Sequence, residues 1–381
     1  MVAHKPSAAQ LAALNRPYTA NDFSHSPMVV FYEVTRACNL KCVHCRAEAQ
    51  PHAHPRELRP DQSLQLLDEL ARFARPPLVV LTGGDPIKRA DIFDIISHGV
   101  KRGLTMALTP SATRLVTRSA VERLHAAGLH RLAVSLDGAD AATHDSFRQV
   151  PGSFQRTLEI IGDAIACGLP MQINTTITRL NYSQIDAMAE LLANYPIKLW
   201  SVFFLVPTGR GLAEQRISAE QYELAFERLA RQMQRRSFGI KTTEAPHFRR
   251  YLIERARHSG APSSGDAPAG VPGIVGTNDG RGVMFISHIG EMYPSGFLPI
   301  NCGTFPNQSP VDIYQHAPLF RELRNSDMLK GKCGFCQYKG ICGGSRARAY
   351  ALTGDPLASE PDCIYVSPQA ADTSLEVVSS C

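Results

Sequence analysis

The chain has 381 residues, of which 44% are hydrophobic and 20% are charged, and these proportions are typical of an ordinary globular protein. Its formal net charge of +5 is small and spread along the chain, which argues against a nucleic-acid partner. The sequence begins with no apolar stretch of signal-peptide length and has no run of about eighteen apolar residues, so we expect a cytoplasmic protein without a membrane partner.

The first predicted strand leads into a loop that carries three cysteines. Residues 1–27 lack sustained periodicity and are expected to form an N-terminal leader, and a strand at 29–34 follows them. Three cysteines with the spacing C-x3-C-x2-C come next: Cys38, Cys42 and Cys45. Three thiolates on a short loop can hold three irons of a cubane cluster and leave the fourth iron without a protein ligand. A zinc knuckle with His44 as the fourth ligand, or a chance clustering, is the alternative.

Helices and strands alternate from residue 61 onward. The predicted helices are 61–73, 92–101, 119–127, 154–167 and 182–194. The predicted strands are 77–81, 104–109, 131–136, 171–176 and 199–205. Together with the first strand they give six strand–helix units with continuous apolar strands, which indicates an α/β fold with a parallel sheet covered by helices.

The cysteine loop after the first strand resembles the signature of the radical S-adenosylmethionine (radical SAM) superfamily. This resemblance implies a partial (β/α)6 TIM barrel over residues 28–215, open and with six strands. It also implies that the amino and carboxylate groups of SAM chelate the open iron of a 4Fe-4S cluster. An electron from the cluster then cleaves SAM to a 5'-deoxyadenosyl radical, which abstracts hydrogen from the substrate.

Several turns after the strands resemble SAM-binding elements of the same family, and chemistry in such barrels lies at the carboxyl ends of the strands. Gly83, Gly84 and Asp85 resemble a Gly-Gly-Glu-Pro element that contacts the SAM amino group, with aspartate where glutamate is usual. Ser111 lies where relatives have a Thr-Asn-Gly-Thr turn. The resemblance therefore makes all four residues candidates for contacts with SAM.

Further candidates follow the later strands. Ser135 and Asp137 lie in a Ser-Leu-Asp-Gly turn that resembles a family turn binding the ribose or carboxylate of SAM. Arg148 aligns with an arginine that pairs the SAM carboxylate, and a solvated arginine at a helix end is the alternative. Asn174 and Val206 match positions that line the ribose and adenine, although a buried asparagine that satisfies backbone groups is an alternative role for Asn174.

A helix at 218–238 and a segment rich in Gly, Pro and Ser at 258–282 make residues 216–281 a helical extension with a flexible loop. The segment is the predicted domain boundary. A β-hairpin is predicted at 282–294, where a second domain begins that extends to 366, and residues 367–381 form a tail.

The second domain contains four more clustered cysteines: Cys333, Cys336, Cys342 and Cys363. Four soft ligands can enclose a metal completely, and their spacing suits either an iron–sulfur cluster or zinc. Beside the first motif they resemble the SPASM or twitch module of radical SAM enzymes, which implies an auxiliary 4Fe-4S cluster. Ser295 and Arg346 stand where ligands of another cluster are expected, so we expect two 4Fe-4S clusters in total and an ordinary thiol at Cys302.

The segment 342–363 resembles the tail of the haem synthase and haem d1 biosynthesis branch of the superfamily. That resemblance implies a tetrapyrrole substrate with side-chain modification or decarboxylation, and Arg346 and Arg348 are candidates for pairing propionates. Modification of a ribosomal peptide by a thioether or carbon–carbon crosslink is an alternative. A non-enzymatic iron–sulfur or zinc scaffold is a further one. The resemblance also implies an electron donor such as ferredoxin or flavodoxin.

Overall fold

The computed structural model describes residues 18–258 and 276–367. Its ten strands form one sheet in the order β10-β9-β8-β1-β2-β3-β4-β5-β6-β7. They are β1 (Val29–Thr35), β2 (Leu78–Gly83), β3 (Thr105–Leu108), β4 (Arg131–Ser135), β5 (Met171–Ile177), β6 (Leu199–Phe204), β7 (Gly239–Thr243), β8 (Val283–Ile286), β9 (Glu291–Tyr293) and β10 (Gly303–Thr304).

Strands β1 to β7 are all parallel, each to its neighbour, which confirms the predicted α/β class. The strands fold against helices because both layers have apolar faces that are buried together. The main core contains side chains with no solvent exposure from both layers, including Val79, Leu81, Leu67, Ile95 and Ile96. All carboxyl ends of the parallel strands therefore meet at one edge, where the loops of the site lie.

Thirteen helices of the described residues pack around the sheet and beyond it. They are α1 (Asp22–His25), α2 (Pro60–Leu70), α3 (Ile92–Lys101), α4 (Arg118–Ala126), α5 (Ala141–Arg148), α6 (Ser153–Ala166), α7 (Ile185–Leu192), α8 (Ala219–Arg235), α9 (His247–His258), α10 (Pro310–His316), α11 (Pro318–Arg324), α12 (Gly331–Gly334) and α13 (Arg346–Thr353). The six predicted helices correspond to α2, α3, α4, α6, α7 and α8, with differences at their ends.

Three elements of the barrel were not predicted. The seventh parallel strand, β7, has one buried residue, Ile240, so it lacks the apolar run that marked the other strands. Helix α5 has a weak apolar stripe and is fixed at its start by the Asp140 side chain, which accepts a hydrogen bond from the Thr143 amide at 2.8 Å. Helix α9 carries several arginines and little apolar surface. In each case neighbouring elements supply the stability that the local sequence lacks.

Strands β8 and β9 form the predicted hairpin, and Phe285 pairs with Tyr293 in an antiparallel register. Strand β8 also runs parallel to β1, with Val29 opposite Val283. The sheet of the barrel is therefore continuous with the C-terminal segment, and its two edge strands are β7 and β10. Of the predicted flexible segment 258–282, residues 259–275 lie outside the described residues.

The ends of the chain are described in part. Phe23 of the predicted leader is fully buried, and its carbonyl accepts a hydrogen bond from the Tyr314 hydroxyl at 2.9 Å, whereas residues 1–17 lie outside the described part. Residues 368–381 of the predicted tail are likewise outside it. In the described ranges, no helix combines the length and the apolar character that a membrane span requires.

Candidate functional site

The cysteine loop begins where β1 ends and is closed at its base by the backbone. The Cys38 amide donates to the Gln50 carbonyl at 2.7 Å, and the Gln50 amide donates to the Arg36 carbonyl at 2.9 Å. Cys38 and Cys42 are buried and Cys45 is half-buried. All three line one cavity of about 190 Å³ at the carboxyl edge of the sheet, which we call the cofactor cavity.

Most of the predicted SAM-binding residues line the same cofactor cavity. They are Gly83, Gly84, Ser111, Ser135, Arg148, Asn174 and Val206. They come from the ends of five successive strands and from α5, and the parallel topology brings them within reach of the three thiols. The sequence motifs, which span about 170 positions of the chain, thus meet in one place.

The turn after β2 needs its two glycines because it crosses the cysteine loop at very short range. The Gly84 amide donates to the Thr35 carbonyl at 2.8 Å. Gly83 has φ +141, and a Cβ atom there would lie 2.1 Å from the Thr35 oxygen. A Cβ atom on Gly84 would lie 2.5 Å from the Ala37 oxygen. Any side chain at either position would push the turn away from the loop that carries the thiols.

Asp85 lies behind this turn and does not line the cofactor cavity. Its side chain is fully buried and accepts hydrogen bonds from the Thr113 hydroxyl at 2.7 Å and from the Ser111 amide at 3.3 Å. Burial raises the pKa of this carboxyl. The family resemblance implied a contact with the SAM amino group, but in the structure the short aspartate side chain is committed to holding the turn after β3.

Ser111 connects that turn to the first thiol. Its hydroxyl donates to the Gly84 carbonyl at 2.8 Å and lies 3.3 Å from the Cys38 sulfur. The same sulfur accepts a hydrogen bond from the Leu40 amide at 3.3 Å. Burial raises the pKa of Cys38, and these neighbours lower it in part. Each of these hydrogen bonds favours the thiolate, the form that binds metal, but burial outweighs them and the pKa of Cys38 stays raised.

Arg148 is held between Asp137 and the second thiol. Its guanidinium donates to the Asp137 carboxylate, and Nη1 lies 3.6 Å from the Cys42 sulfur. Asp137 is fully buried outside the cofactor cavity, and its other oxygen accepts a hydrogen bond from the Thr176 amide at 2.7 Å. Burial acts to raise the pKa of Asp137, but the nearby charges, that of Arg148 first, and the Thr176 amide together outweigh burial and lower it. With 13% of its side chain exposed, Arg148 is not the solvated helix-end arginine of the alternative interpretation.

Arg210, after β6, is a cavity residue that the sequence analysis missed. Its Nε donates to the Cys42 carbonyl at 2.9 Å and its Nη1 donates to the Ala49 carbonyl at 3.3 Å. Its Nη2 is buried, and the described residues offer it no hydrogen-bond partner. Gly209 makes the approach possible, because a Cβ atom there would lie 2.4 Å from the Arg46 oxygen. The sequence Thr-Gly-Arg-Gly after a strand end was the available signal.

The four later cysteines lie together in a second, narrower cavity beside α9 and α12. Backbone amides donate to three of their sulfurs: Glu360 to Cys333 at 3.3 Å, Tyr338 to Cys336 at 3.4 Å and Gly344 to Cys342 at 3.4 Å. Burial raises the pKa of Cys342 to about 12 and that of Cys363 to about 11. Four clustered thiols, one buried and three half-buried, suit a metal cluster, because a bound cation supplies the charge that deprotonates them.

Cys302 lies apart from both cysteine groups. Its sulfur donates to the Ile300 carbonyl at 3.5 Å and its side chain packs against the main core. Burial raises its pKa to about 11. The environment is that of an ordinary buried thiol, as expected from the sequence.

Arg346 and Arg348 were candidates for pairing substrate propionates, and the structure contradicts that role. Both are fully buried. Arg348 forms an ion pair with Glu360 at 2.8 Å, and Arg346 donates to the carbonyls of Pro356 and Ala358 at 3.1 and 2.7 Å. Both arginines are therefore paired within the protein, and they stabilise the segment around the second cysteine group.

Comparisons with known proteins agree with this geometry. Residues 32–192 match the radical SAM superfamily. The chain is 40% identical over 342 residues to the AdoMet-dependent heme synthase of Methanosarcina barkeri, covering 90% of this chain and 97% of that protein. It is 38% identical over 354 residues to the AdoMet-dependent heme synthase of Nitratidesulfovibrio vulgaris, covering 92% and 95%.

Among solved structures, Streptococcus suis SuiB bound to precursor peptide SuiA is similar with a TM-score of 0.67 and 18% identity, covering 94% of this chain and 79% of that one. This similarity concerns the fold. The family match excludes a non-enzymatic scaffold, and membership of the family implies a 4Fe-4S cluster and SAM. With a relative this similar across nine-tenths of its length, the chain belongs to the radical SAM superfamily of enzymes.

Proposed function

We propose that this enzyme is a haem synthase that decarboxylates propionate side chains of an iron-containing tetrapyrrole. The observation that carries the proposal is the similarity to two AdoMet-dependent heme synthases, which extends over 90% and 92% of the chain. In the proposed reaction each propionate loses carbon dioxide, one hydrogen atom and one electron, and a vinyl group remains.

Cys38, Cys42 and Cys45 hold the first 4Fe-4S cluster in this proposal. When bound, that cluster and SAM supply the 5'-deoxyadenosyl radical, which abstracts the hydrogen atom from the substrate. The protein positions the thiols through the base of the loop, through Ser111 beside Cys38 and through Arg148 beside Cys42. His44 also lines the cavity, with its Nε2 4.0 Å from the Asp137 carboxylate. In the proposal the three thiols alone hold the cluster, which leaves one iron open.

The remaining cavity residues are proposed to hold SAM. Arg148 contributes positive charge next to Cys42, where a carboxylate on the open iron needs compensation. Asn174 accepts from the Gln172 amide at 2.8 Å through Oδ1, so its own amide group remains available to a ribose oxygen. Ser135 offers a hydroxyl, and Val206 offers an apolar surface for the adenine. The backbone of Gly83 and Gly84 completes the wall.

We propose that Cys333, Cys336, Cys342 and Cys363 hold an auxiliary 4Fe-4S cluster with a protein ligand on every iron. The amide donors to three of these sulfurs support this, since such hydrogen bonds tune the reduction potential of a cluster. A cluster at this place would accept the electron released by the substrate. A ferredoxin or flavodoxin is proposed as the donor of the electron that starts each turnover.

The test uses the protein purified without oxygen and reconstituted with iron and sulfide. It is incubated with SAM, dithionite and iron coproporphyrin, a tetrapyrrole with four propionates. We expect 5'-deoxyadenosine and a porphyrin product lighter by one carbon dioxide and two hydrogen atoms per converted side chain. Cleavage of SAM without any change in the porphyrin would overturn the substrate assignment.

Two controls sharpen this test. The Cys42→Ala variant should lose both products, whereas Cys167→Ala, which removes a thiol at the end of α6 outside both cysteine groups, should keep them. A parallel incubation with short peptides addresses peptide modification. A SAM-dependent mass change in a peptide, with none in the porphyrin, would favour that alternative function.

A further inference from the structure

The interior of the barrel contains a cavity that the cofactor residues do not account for. Its upper part, about 270 Å³, is lined by residues of β7 and β8 among others, and its lower part, about 190 Å³, is lined by residues of β1 to β7. The two parts share lining residues, among them Lys241, and the upper part shares Thr82, Thr109, Asn174 and Phe203 with the cofactor cavity. We call this space the barrel cavity. It adjoins the place where SAM is proposed to bind.

The barrel cavity has an apolar wall and a polar wall. Inward-facing residues of β8, β1 and β2 form the apolar one: Val283, Val29, Phe31, Leu78 and Val80. Inward-facing residues of β4 to β7 form the polar one: Arg131, Gln172, Asn174, Ser201 and Lys241. The interior of a closed barrel is usually filled by large apolar side chains. The interior of this barrel is instead partly empty, and its two walls suit a ligand that is flat and apolar on one side and polar at its edge.

The polar wall carries two positive charges without protein partners. In the part of the chain that the structure describes, Lys241 and Arg131 form no ion pair and no side-chain hydrogen bond, and Arg131 Nε is buried. Of the described residues that line the lower part of the cavity, none is Asp or Glu. Lys241 is exposed to the solvent of this open cavity, and Arg131 is half-buried. Two cations that line one cavity without a protein anion beside them suit an anionic ligand.

We infer that Lys241 and Arg131 form a carboxylate-binding subsite that fixes a propionate of the tetrapyrrole at the inner end of the barrel cavity. This rests on the proposed function, and it adds how the substrate is oriented. Arg131 begins β4 and Ser135 ends it at the cofactor cavity, so the subsite lies about 13 Å along the strand from that level. A propionate bound at this subsite does not react. Another propionate of the same tetrapyrrole then faces the cofactor cavity.

Charge complementarity in the lower part supports an anion as the occupant there, whereas Glu244 and Asp279 line the upper part together with Arg249. The apolar wall, with Phe31 among its residues, suits the face of a conjugated ring, and the two cations suit an edge carboxylate, which arginine binds with a planar fork of donors. Both requirements are met by one molecule only if it is planar, apolar and acidic at its rim. A tetrapyrrole with propionate side chains has this chemistry.

The experiment measures equilibrium binding of iron coproporphyrin to the reconstituted holoenzyme by absorbance titration without oxygen. Lys241→Gln and Arg131→Gln should each weaken binding by about tenfold or more, because each removes one charge from a desolvated carboxylate. Lys241→Arg keeps the charge and should bind nearly as the wild type does. Lys101→Gln, an exposed lysine at the end of α3, serves as the matched control and should leave binding unchanged.

Two further measurements separate recognition from folding. SAM binding should remain at the wild-type value in all four variants, and the tetramethyl ester of the porphyrin should bind the wild type and Lys241→Gln equally. Equal affinity of the wild type and both Gln variants for the free acid would overturn the subsite while leaving the proposed function intact. If the wild type bound no iron coproporphyrin at all, the proposed function would fail and the subsite with it.

Discussion

Arg46, the residue after the third cysteine of the loop, donates a hydrogen bond from Nη2 to Oε2 of Glu33 at 2.7 Å, where Glu33 has no solvent exposure. Glu33 also accepts from His288 at 2.8 Å, and the Arg46 guanidinium lies 4.5 Å from the centre of the Phe285 ring. One buried carboxylate therefore ties the cysteine loop, β1 and the hairpin of β8 and β9 together. The position of Cys45 depends on a residue of the first strand.

Glu33→Gln should destabilise the protein by about 3–5 kcal/mol, since it removes the negative partner of a buried guanidinium. The measurement is urea unfolding without oxygen, with loss of iron from the first cluster followed in the same samples. Glu122→Gln is the control, because its ion pair with Arg118 has side chains 55% and 64% exposed and should change stability little. Equal unfolding midpoints for the wild type and Glu33→Gln would contradict this role.

The same pair predicts a pH dependence. Burial alone would raise the pKa of Glu33, but the Arg46 and Arg36 charges and the hydrogen bonds from His288 and Arg46 together outweigh it, so the pKa is lowered from 4.5 to about 2. A carboxyl with a lower pKa in the folded state contributes its full stability above pH 4.5 and loses it as the pH falls toward 2. The difference in unfolding midpoint between the wild type and Glu33→Gln should therefore be constant near neutral pH and shrink below pH 4.5. A difference that grows on acidification would rule this out.

Gly84→Ala should abolish SAM binding and weaken the first cluster, because the added Cβ atom would meet the Ala37 oxygen at 2.5 Å and the backbone has to move. Iron content and SAM affinity measure the effect. Gly162→Ala in α6 is a matched control, since nothing lies within 4 Å of its added Cβ atom. That variant should gain about 0.4–1 kcal/mol of stability and keep both ligands. Normal SAM binding by Gly84→Ala would contradict this prediction, because it would show that the turn after β2 can accommodate a Cβ atom.

The sequence motifs predicted the cofactor cavity well because each lies at a strand end, and the parallel topology of the sheet brings strand ends together. They could not reveal Arg210, whose contact with the Cys42 carbonyl joins positions 168 residues apart. Lys241 escaped notice for another reason. Lys241 is an exposed lysine on a short strand with one buried residue, so its sequence shows nothing unusual, and only the curvature of the sheet places it at the cavity.

The assignment of acidic residues shows the same limit. Asp85 and Asp137 were predicted as SAM contacts from their motifs, and both are close to the cofactor cavity in the fold. Their carboxylates instead bind Thr113 and Arg148, which hold neighbouring turns. A motif fixes which residues lie near one another, but the length of a side chain decides whether it reaches the cavity or the wall behind it.

Arg148→Lys should weaken SAM binding by about tenfold or more. Lysine keeps the charge but loses the planar fork that reaches Asp137 and Cys42 together. SAM affinity of the reconstituted protein is the measurement, and iron content should remain complete because the three thiols are untouched. Arg118→Lys, on the exposed face of α4, provides the control. Unchanged SAM affinity in Arg148→Lys would remove Arg148 from the binding site.

In the C-terminal half, the iron content of variants distinguishes cysteines that bind the auxiliary cluster from a cysteine that does not. Cys363→Ser should lose the auxiliary cluster and hence about half of the bound iron, since its thiol is one of the four proposed ligands. Cys302→Ser should retain all iron, because its thiol contacts the Ile300 carbonyl and lies outside both cysteine cavities. SAM binding should survive in both variants, because the first cluster is independent of these positions. Loss of iron in Cys302→Ser would instead make that thiol a ligand and require a different assignment of the C-terminal cluster.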